Sequence, residues 1–141
     1  MRLRLVREGT AQETVPVTVR TPSEAARLFH MVMDREPVEC FYLLLLDAQH
    51  CVTADPVLIT RGTLTGSLVH PREVFCPAIR DMAAGVIIGH NHPSGDPAPS
   101  ADDRAVTRQL VEAGRLLDIP VYDHVIVGRE RHFSFAEAGW L

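Results

Sequence analysis

Two histidines one residue apart, His90 and His92, open the stretch Gly89-His90-Asn91-His92-Pro93-Ser94-Gly95-Asp96-Pro97-Ala98-Pro99-Ser100-Ala101-Asp102-Asp103. On a strand, residues two apart face the same side, so both imidazoles would project together and form two arms of a metal chelate. Three prolines and a glycine turn the chain back after them. Ser100 to Asp103 then starts a helix whose first turn could set a carboxylate beside both rings. Two histidines and one aspartate leave a tetrahedral zinc ion one position short, the position that holds water in a catalytic site. A single carboxylate against Zn²⁺ leaves a net positive centre, which lowers the pKa of that water toward ~7 and polarises a carbonyl. A base must still take the proton. Glu36, Glu39, Glu73, Asp96 and Asp102 are acids that could approach. Glu39 is weakly favoured because it opens an apolar segment read as a central strand, and a parallel neighbour of the histidine strand would deliver it to the metal end.

The elements that must position these groups follow from periodicity and punctuation. Alternation in residues 2–6 and 14–19, around a polar turn near Gly9-Thr10, predicts an amino-terminal hairpin. Thr21-Pro22-Ser23-Glu24 supplies a threonine cap, a proline at the first helical position and a glutamate three residues after the cap. A helix should run from there to about Arg35, with Ala25, Leu28, Phe29 and Val32 inward and Pro37 barring continuation. Residues 39–46 are nearly continuously apolar and predict a central strand, with residues 51–60 returning beside it. A small-residue loop, 62–67, leads to a helix over about 71–82, again with proline at its start. Residues 85–90 form the third strong strand. The proline-rich loop 93–99 ends at Ser100, and a helix over about 101–117 turns Val106, Leu110, Val111 and Leu117 inward. Residues 121–127 and 132–135 close the chain as two strands around the turn 128–131. One mixed sheet flanked by helices is the economical arrangement.

Composition sets the outer bounds. The chain has 141 residues, 46% apolar and 23% charged, enough for one domain and short for two. With 14 Lys+Arg against 18 Asp+Glu the net charge is −4, which offers no overall basic surplus for coating a duplex, although a local basic patch is allowed. No apolar run approaches the ~18 to 20 residues of a membrane-spanning helix. The amino end lacks the apolar core and cleavage site of a secretory signal, so the cytoplasm is the expected location. Cys40, Cys51 and Cys76 form an odd, widely spaced set without a C-x-x-C pair, expected as buried free thiols rather than a disulfide framework or zinc knuckle.

His90-x-His92, seven residues, then Ser100-x-x-Asp103 resembles the H-x-H-x(7)-S-x-x-D signature of the JAMM/MPN metalloproteases. The wider wording, with Val69-His70-Pro71-Arg72-Glu73-Val74-Phe75 before it and Asp123-His124-Val125-Ile126-Val127-Gly128 after it, resembles the RadC-like branch from about Thr21 to the end. The resemblance implies a three-layer α/β/α fold of the deaminase-like type, and with the hairpin read from alternation the chain is expected as a single α+β domain that carries residues 1–20 as an amino-terminal extension. It implies Zn²⁺ on His90, His92 and Asp103, Glu39 as general acid/base and Ser100 as oxyanion helper. Cys40-Phe41 stands where the branch often has His-Phe. It further implies cleavage of a peptide, isopeptide or related amide bond in a protein or peptide substrate. The alternative is a DNA-repair or nucleic-acid-associated role, with DNA as partner. The amino-terminal helical region usual in RadC proteins is expected to be missing from this chain.

Blander readings apply to several residues. Ser-x-x-Asp is also a helix cap with an acid near the positive end of the helix dipole, and both roles can coexist in Ser100 and Asp103. His124, on an apolar strand, reads first as a core histidine and second as a group behind the metal or against substrate. His70 and Glu73 read as helix-start residues, Ser94 and Asp96 as loop-shaping ones. His30, His50 and His132 have no partner pattern. Loop 62–67 has no Walker lysine. The tripeptide His-Asn-His is an accidental likeness to the dispersed residues of HNH nucleases. The H-x-E with P-C-x-x-C of zinc deaminases, the H-E-x-x-H of zincins and the H-x-H-x-D-H of metallo-β-lactamases are all missing.

Overall fold

Threonine, proline and glutamate at 21, 22 and 24 do start a helix. In the computed structural model, which describes residues 16–62 and 69–141, α1 covers Pro22–Met33. Thr21 caps it, its hydroxyl oxygen accepting from the Glu24 N–H at 3.2 Å. The helix stops two residues before the expected end. Ala25, Ala26, Leu28, Phe29 and Met33 are buried, while Val32, expected inward, is only half-buried. Most of the expected amino-terminal hairpin and of loop 62–67 lies outside the described residues. Of the hairpin's second arm, Val17 and Val19 do bond to the segment after the central strand: Val19 N–H donates to the His50 carbonyl and Val52 N–H to the Val17 carbonyl, each at 2.8 Å.

Among the described residues, five strands form one mixed sheet in the order β2-β1-β3-β4-β5. They are β1 (Cys40–Leu46), β2 (Val57–Arg61), β3 (Gly85–Asn91), β4 (Val121–Val127) and β5 (His132–Ser134). β1 runs antiparallel to both β2 and β3, β3 pairs parallel with β4, and β5 closes antiparallel on β4. The returning segment is shorter than expected: after a bridge between Leu46 and Val52, regular pairing resumes only at Val57, just past Pro56. A proline lacks the N–H that a ladder needs.

The two-residue period of the strands, reset in β4 by a register shift just after Val121, builds two cores. Leu44 and Leu46 of β1, Ile87 of β3 and Val125 and Val127 of β4 face Phe29 and the rest of α1. Leu43 and Leu45, Val86 and Ile88, and Val121 face the opposite side. There they meet α2 (Pro71–Arg80) and α3 (Ala101–Leu117), through Val74, Phe75, Val106 and Leu110. The result is a three-layer α/β/α arrangement with helices on both faces of the sheet. Gly89 of β3 lets the Phe29 ring lie on the backbone: a Cβ there would come within 2.5 Å of it.

Two expectations about burial need correction. Leu117, expected inward, is 43% exposed; at the last position of α3 it borders an open groove with Phe75 and Ile79 instead of entering the core. Cys40 is buried and Cys51 half-buried, but Cys76 lies on the outer side of α2, exposed. Among the described residues no helix is long and apolar enough to cross a membrane.

Candidate metal centre

The chemistry-bearing residues meet where β1 begins and β3 ends. Phe41 pairs with His90 across the β1–β3 ladder, which is antiparallel. The expectation of a parallel neighbour was wrong in its geometry. Parallel strands set start beside start, and that would leave Glu39 about a strand length, roughly 20 Å, from His90. Antiparallel pairing sets the head of β1 beside the tail of β3. Glu39 Oε1 accordingly lies 3.7 Å from His92 Nε2.

His90 Nε2 and His92 Nε2 are 3.0 Å apart. Asp103 straddles them, with Oδ1 at 3.2 Å from His90 Nε2 and Oδ2 at 3.2 Å from His92 Nε2. Donor atoms placed ~2.0–2.1 Å from a tetrahedral zinc lie about 3.3 Å from one another, so this triangle has the size of one face of such a centre. Glu39, His90 and His92 present atoms all within 4.8 Å of each other and could hold a metal ion. The Glu39 side chain is 46% exposed, so the open side faces solvent, whereas His90 is buried.

Each group is set by local chemistry. Ser100 caps α3: its Oγ accepts from the Asp103 N–H at 3.0 Å, and Asp103 Oδ2 accepts from the Ser100 N–H at 2.8 Å. That reciprocal pair fixes the carboxylate at the positive end of the helix. His92 Nδ1 lies 2.9 Å from the Asp96 carbonyl, which can only accept, so Nδ1 carries the hydrogen and Nε2 of the neutral ring is a bare lone pair. His90 stacks on Phe41 at 4.5 Å and its Nδ1 meets Nε2 of His124 at 2.7 Å. His124 stacks on Phe135, and its Nδ1 is 2.5 Å from Thr107 Oγ1. Asn91, which faces away from its two neighbours on the strand, brackets Glu39: its Oδ1 accepts from the Cys40 N–H at 2.6 Å and its Nδ2 donates to the Val38 carbonyl at 3.0 Å.

The His92 lone pair and the Asp103 carboxylate facing one another, with His90 Nε2 beside both, call for a positive charge between them, a proton or a cation, and the donor set fits a divalent ion. The titration of the groups agrees. Hydrogen bonding to Asp103 raises the His92 imidazole above its ordinary value despite partial burial. Burial works against the Asp103 carboxylate, but its polar contacts with His90 and His92 and the hydrogen bond it accepts from the Ser100 N–H outweigh it, and the group lies well below the usual carboxylate range. Complete burial, reinforced by the neighbouring His90, pushes His124 well below its ordinary value and holds it neutral.

The family model of the RadC-like JAB domain matches residues 19–140. The chain belongs to this family. Among the relatives of this RadC-like JAB domain are UPF0758 proteins. One from Trichlorobacter lovleyi is 49% identical over 121 residues, 86% of this chain and 52% of the relative. One from Symbiobacterium thermophilum is 50% identical over 117 residues, 83% and 47% respectively. A third, from Xanthomonas axonopodis pv. citri, is 46% identical over 120 residues, 85% and 53%. The RadC-like chain thus spans about half the length of the curated relatives it matches.

Of the residues singled out by sequence in this RadC-like domain, Glu39, His90, His92 and Asp103 converge, and Ser100 adjoins them through the cap. The other acids do not. Glu36 pairs with Arg61 at 3.0 Å, Glu73 accepts from the His70 N–H at the start of α2, and the Asp96 carboxylate accepts from the Ala98 N–H. Asp102 is exposed on the first turn of α3. His124, read first as a core histidine, is fully buried and also touches His90. Sequence reasoning missed Asn91 and Thr107. A polar residue closing an apolar strand, and a threonine four positions after Asp103 and hence on the same helix face, were the available signals.

Proposed function

We propose that this domain is a zinc-dependent hydrolase that cleaves a peptide, isopeptide or related amide bond. The observation that carries the reading is the triangle of His90, His92 and Asp103 atoms at 3.0–3.2 Å with the Glu39 carboxylate on its open side. His90, His92 and Asp103 would hold the ion. When bound, it supplies a Lewis acid that acidifies water and polarises a carbonyl. Glu39 Oε1 takes the proton of the attacking water and returns it to the departing nitrogen, which a solvent-facing carboxylate beside His92 is placed to do. Ser100 Oγ already accepts from the Asp103 N–H, so its own hydrogen is free to be donated to a developing oxyanion. Asn91 holds the backbone on either side of Glu39 and so keeps that carboxylate at the mouth of the site.

The test is zinc content and turnover of variants on peptide and isopeptide substrates. His92→Ala and Asp103→Asn should lose bound zinc, Asp103→Asn being chosen because an asparagine oxygen can still cap α3. Glu39→Gln should keep zinc and lose turnover by about two to four orders of magnitude, the usual range for a general acid/base. Intact zinc in both ligand variants would end the proposal. A second reading, in which the site serves a nucleic acid, is favoured by one patch: Arg104, Arg108 and Arg115 of α3 line a cleft with Trp140, and the Arg104 guanidinium lies 4.1 Å over the indole. Metal-dependent nicking, or DNA binding at low salt that weakens in Arg108→Gln, would support it; no DNA binding at low salt would remove it.

A further inference from the structure

Behind the site, the direction of each hydrogen bond is fixed by what its partners can do. The Asp103 main-chain carbonyl can only accept, so the Thr107 hydroxyl, 2.6 Å away, commits its one hydrogen there. Thr107 Oγ1 is left as the acceptor toward His124 Nδ1. The His124 hydrogen therefore sits on Nδ1, and its Nε2 is bare. That bare nitrogen accepts from His90 Nδ1 at 2.7 Å. His90 in turn carries its hydrogen on Nδ1 and aims an unprotonated Nε2 at His92 Nε2 and Asp103 Oδ1, at 3.0 and 3.2 Å. The path leaves Asp103 by its backbone and returns to Asp103 by its side chain, linking β3, β4 and α3 in a closed circuit.

We infer that Thr107 and His124 are positioning residues that select the tautomer of His90 in which Nε2 is free to take a metal ion. The inference rests on the proposed metal-holding role of His90. Its physical content is the polarity of the circuit. Were the Thr107 hydrogen turned toward His124, every bond would reverse and His90 Nε2 would bear a hydrogen that has to leave before an ion could enter. Burial of His90 and His124 between the Phe41 and Phe135 rings keeps water from supplying a substitute partner. Partners of this kind typically account for 10- to 100-fold in metal affinity.

The test uses the full chain and two variants at position 107. Thr107→Val keeps the shape and removes the hydroxyl; Thr107→Ser restores it. In metal-free protein at about pH 8, above the ordinary histidine value of ~6.5, long-range ¹H–¹⁵N correlations report which ring nitrogen bears the hydrogen. Wild type and Thr107→Ser should show His90 protonated at Nδ1, and Thr107→Val should show a mixture of tautomers. Competition with a chromophoric chelator should show zinc held about 10- to 100-fold more weakly by Thr107→Val and within threefold of wild type by Thr107→Ser. A wild-type His90 protonated at Nε2 would overturn the inference, and that reading needs no variant to fold. Zinc affinity of Thr107→Val within threefold of wild type would overturn it as well. Absence of zinc binding by wild type would instead defeat the proposed function, while the tautomer spectrum would still decide the polarity of the circuit.

Discussion

Replacement of Asn91 by alanine isolates the device that holds Glu39. Its side chain is buried and makes two bonds, from the Cys40 N–H at 2.6 Å and to the Val38 carbonyl at 3.0 Å. Each such bond has a net worth of about 0.5–1.5 kcal/mol, and a buried N–H left without its acceptor costs about 1–3 kcal/mol. Cys40 is fully buried, so water cannot replace the lost acceptor there. Together these give a destabilisation of about 2–4 kcal/mol for Asn91→Ala, or about 6–13 °C in the unfolding midpoint of a chain this long. Urea and thermal unfolding in the presence of a chelator measure it, with the urea m-value expected to stay unchanged. The same variant separates stability from chemistry. His90 and His92 project to the other side of β3, so zinc affinity should stay within threefold, while turnover falls at least tenfold as Glu39 loses its bracket. Asn91→Asp keeps the acceptor for Cys40 but sets a carboxylate against the Val38 carbonyl, and should be no better. An Asn91→Ala protein within about 1 kcal/mol of wild type would refute the reasoning.

Two further outcomes follow from the same geometry. The His92 imidazole is raised above its ordinary value, so the folded metal-free chain keeps a proton that the unfolded chain releases. That stability is complete below about pH 6.5 and lost as pH rises through the raised value. His124 pulls the other way, but only below about 6.5, and the Asp103 contribution is lost only in acid, far below that window. Denaturation between pH 7 and 9 should therefore show stability falling with pH in chelator and level or rising with saturating zinc; parallel slopes would contradict the proton-for-metal exchange. Gly128→Ala would set a Cβ 2.3 Å from the Gly95 carbonyl oxygen and 2.9 Å from Pro97 Cδ. This should cost about 1–3 kcal/mol and, by shifting the loop whose Asp96 carbonyl holds His92, weaken zinc about tenfold in the chelator competition; unchanged affinity would show that the loop does not lean on this contact.

What the sequence disclosed, and what it hid, divides along a physical line. The bounds of α3 were readable to the residue, because Ser100 and Asp103 form a local capping box that needs no tertiary partner. The mixed sheet flanked by helices was readable from short continuous apolar runs and proline stops. Strand direction was not, since an apolar run has the same pattern whichever way its neighbour points, and the antiparallel β1–β3 pairing had to come from the three-dimensional fold. The meeting of His90 and His92 follows from a period of two along one strand. Thr107, His124 and Asn91 each act across elements far apart in the chain, the first two being 17 positions apart and Asn91 lying 51 positions from Cys40. The local signals, a polar residue closing an apolar strand, a threonine one turn past Asp103 and a histidine on an apolar strand, do not say which distant group each one bonds. Leu117 failed for the opposite reason: its spacing is that of a core residue, but the helix ends where the core does.

Asp103 Oδ2 belongs at once to the helix and to the site, accepting from the Ser100 amide while facing His92. On the proposed function, one oxygen thus serves two demands, the start of α3 and the metal site. A lineage drifting away from catalysis would not easily discard it, because the start of α3 would fray with the loss. Among the described residues Glu39 has no such second duty: its carboxylate approaches His92 and His90 from the solvent side. Descendants that abandoned the chemistry would be expected to change at 39 early and at 103 late, so the surviving aspartate by itself is a poor sign of a working enzyme, and the glutamate a better one.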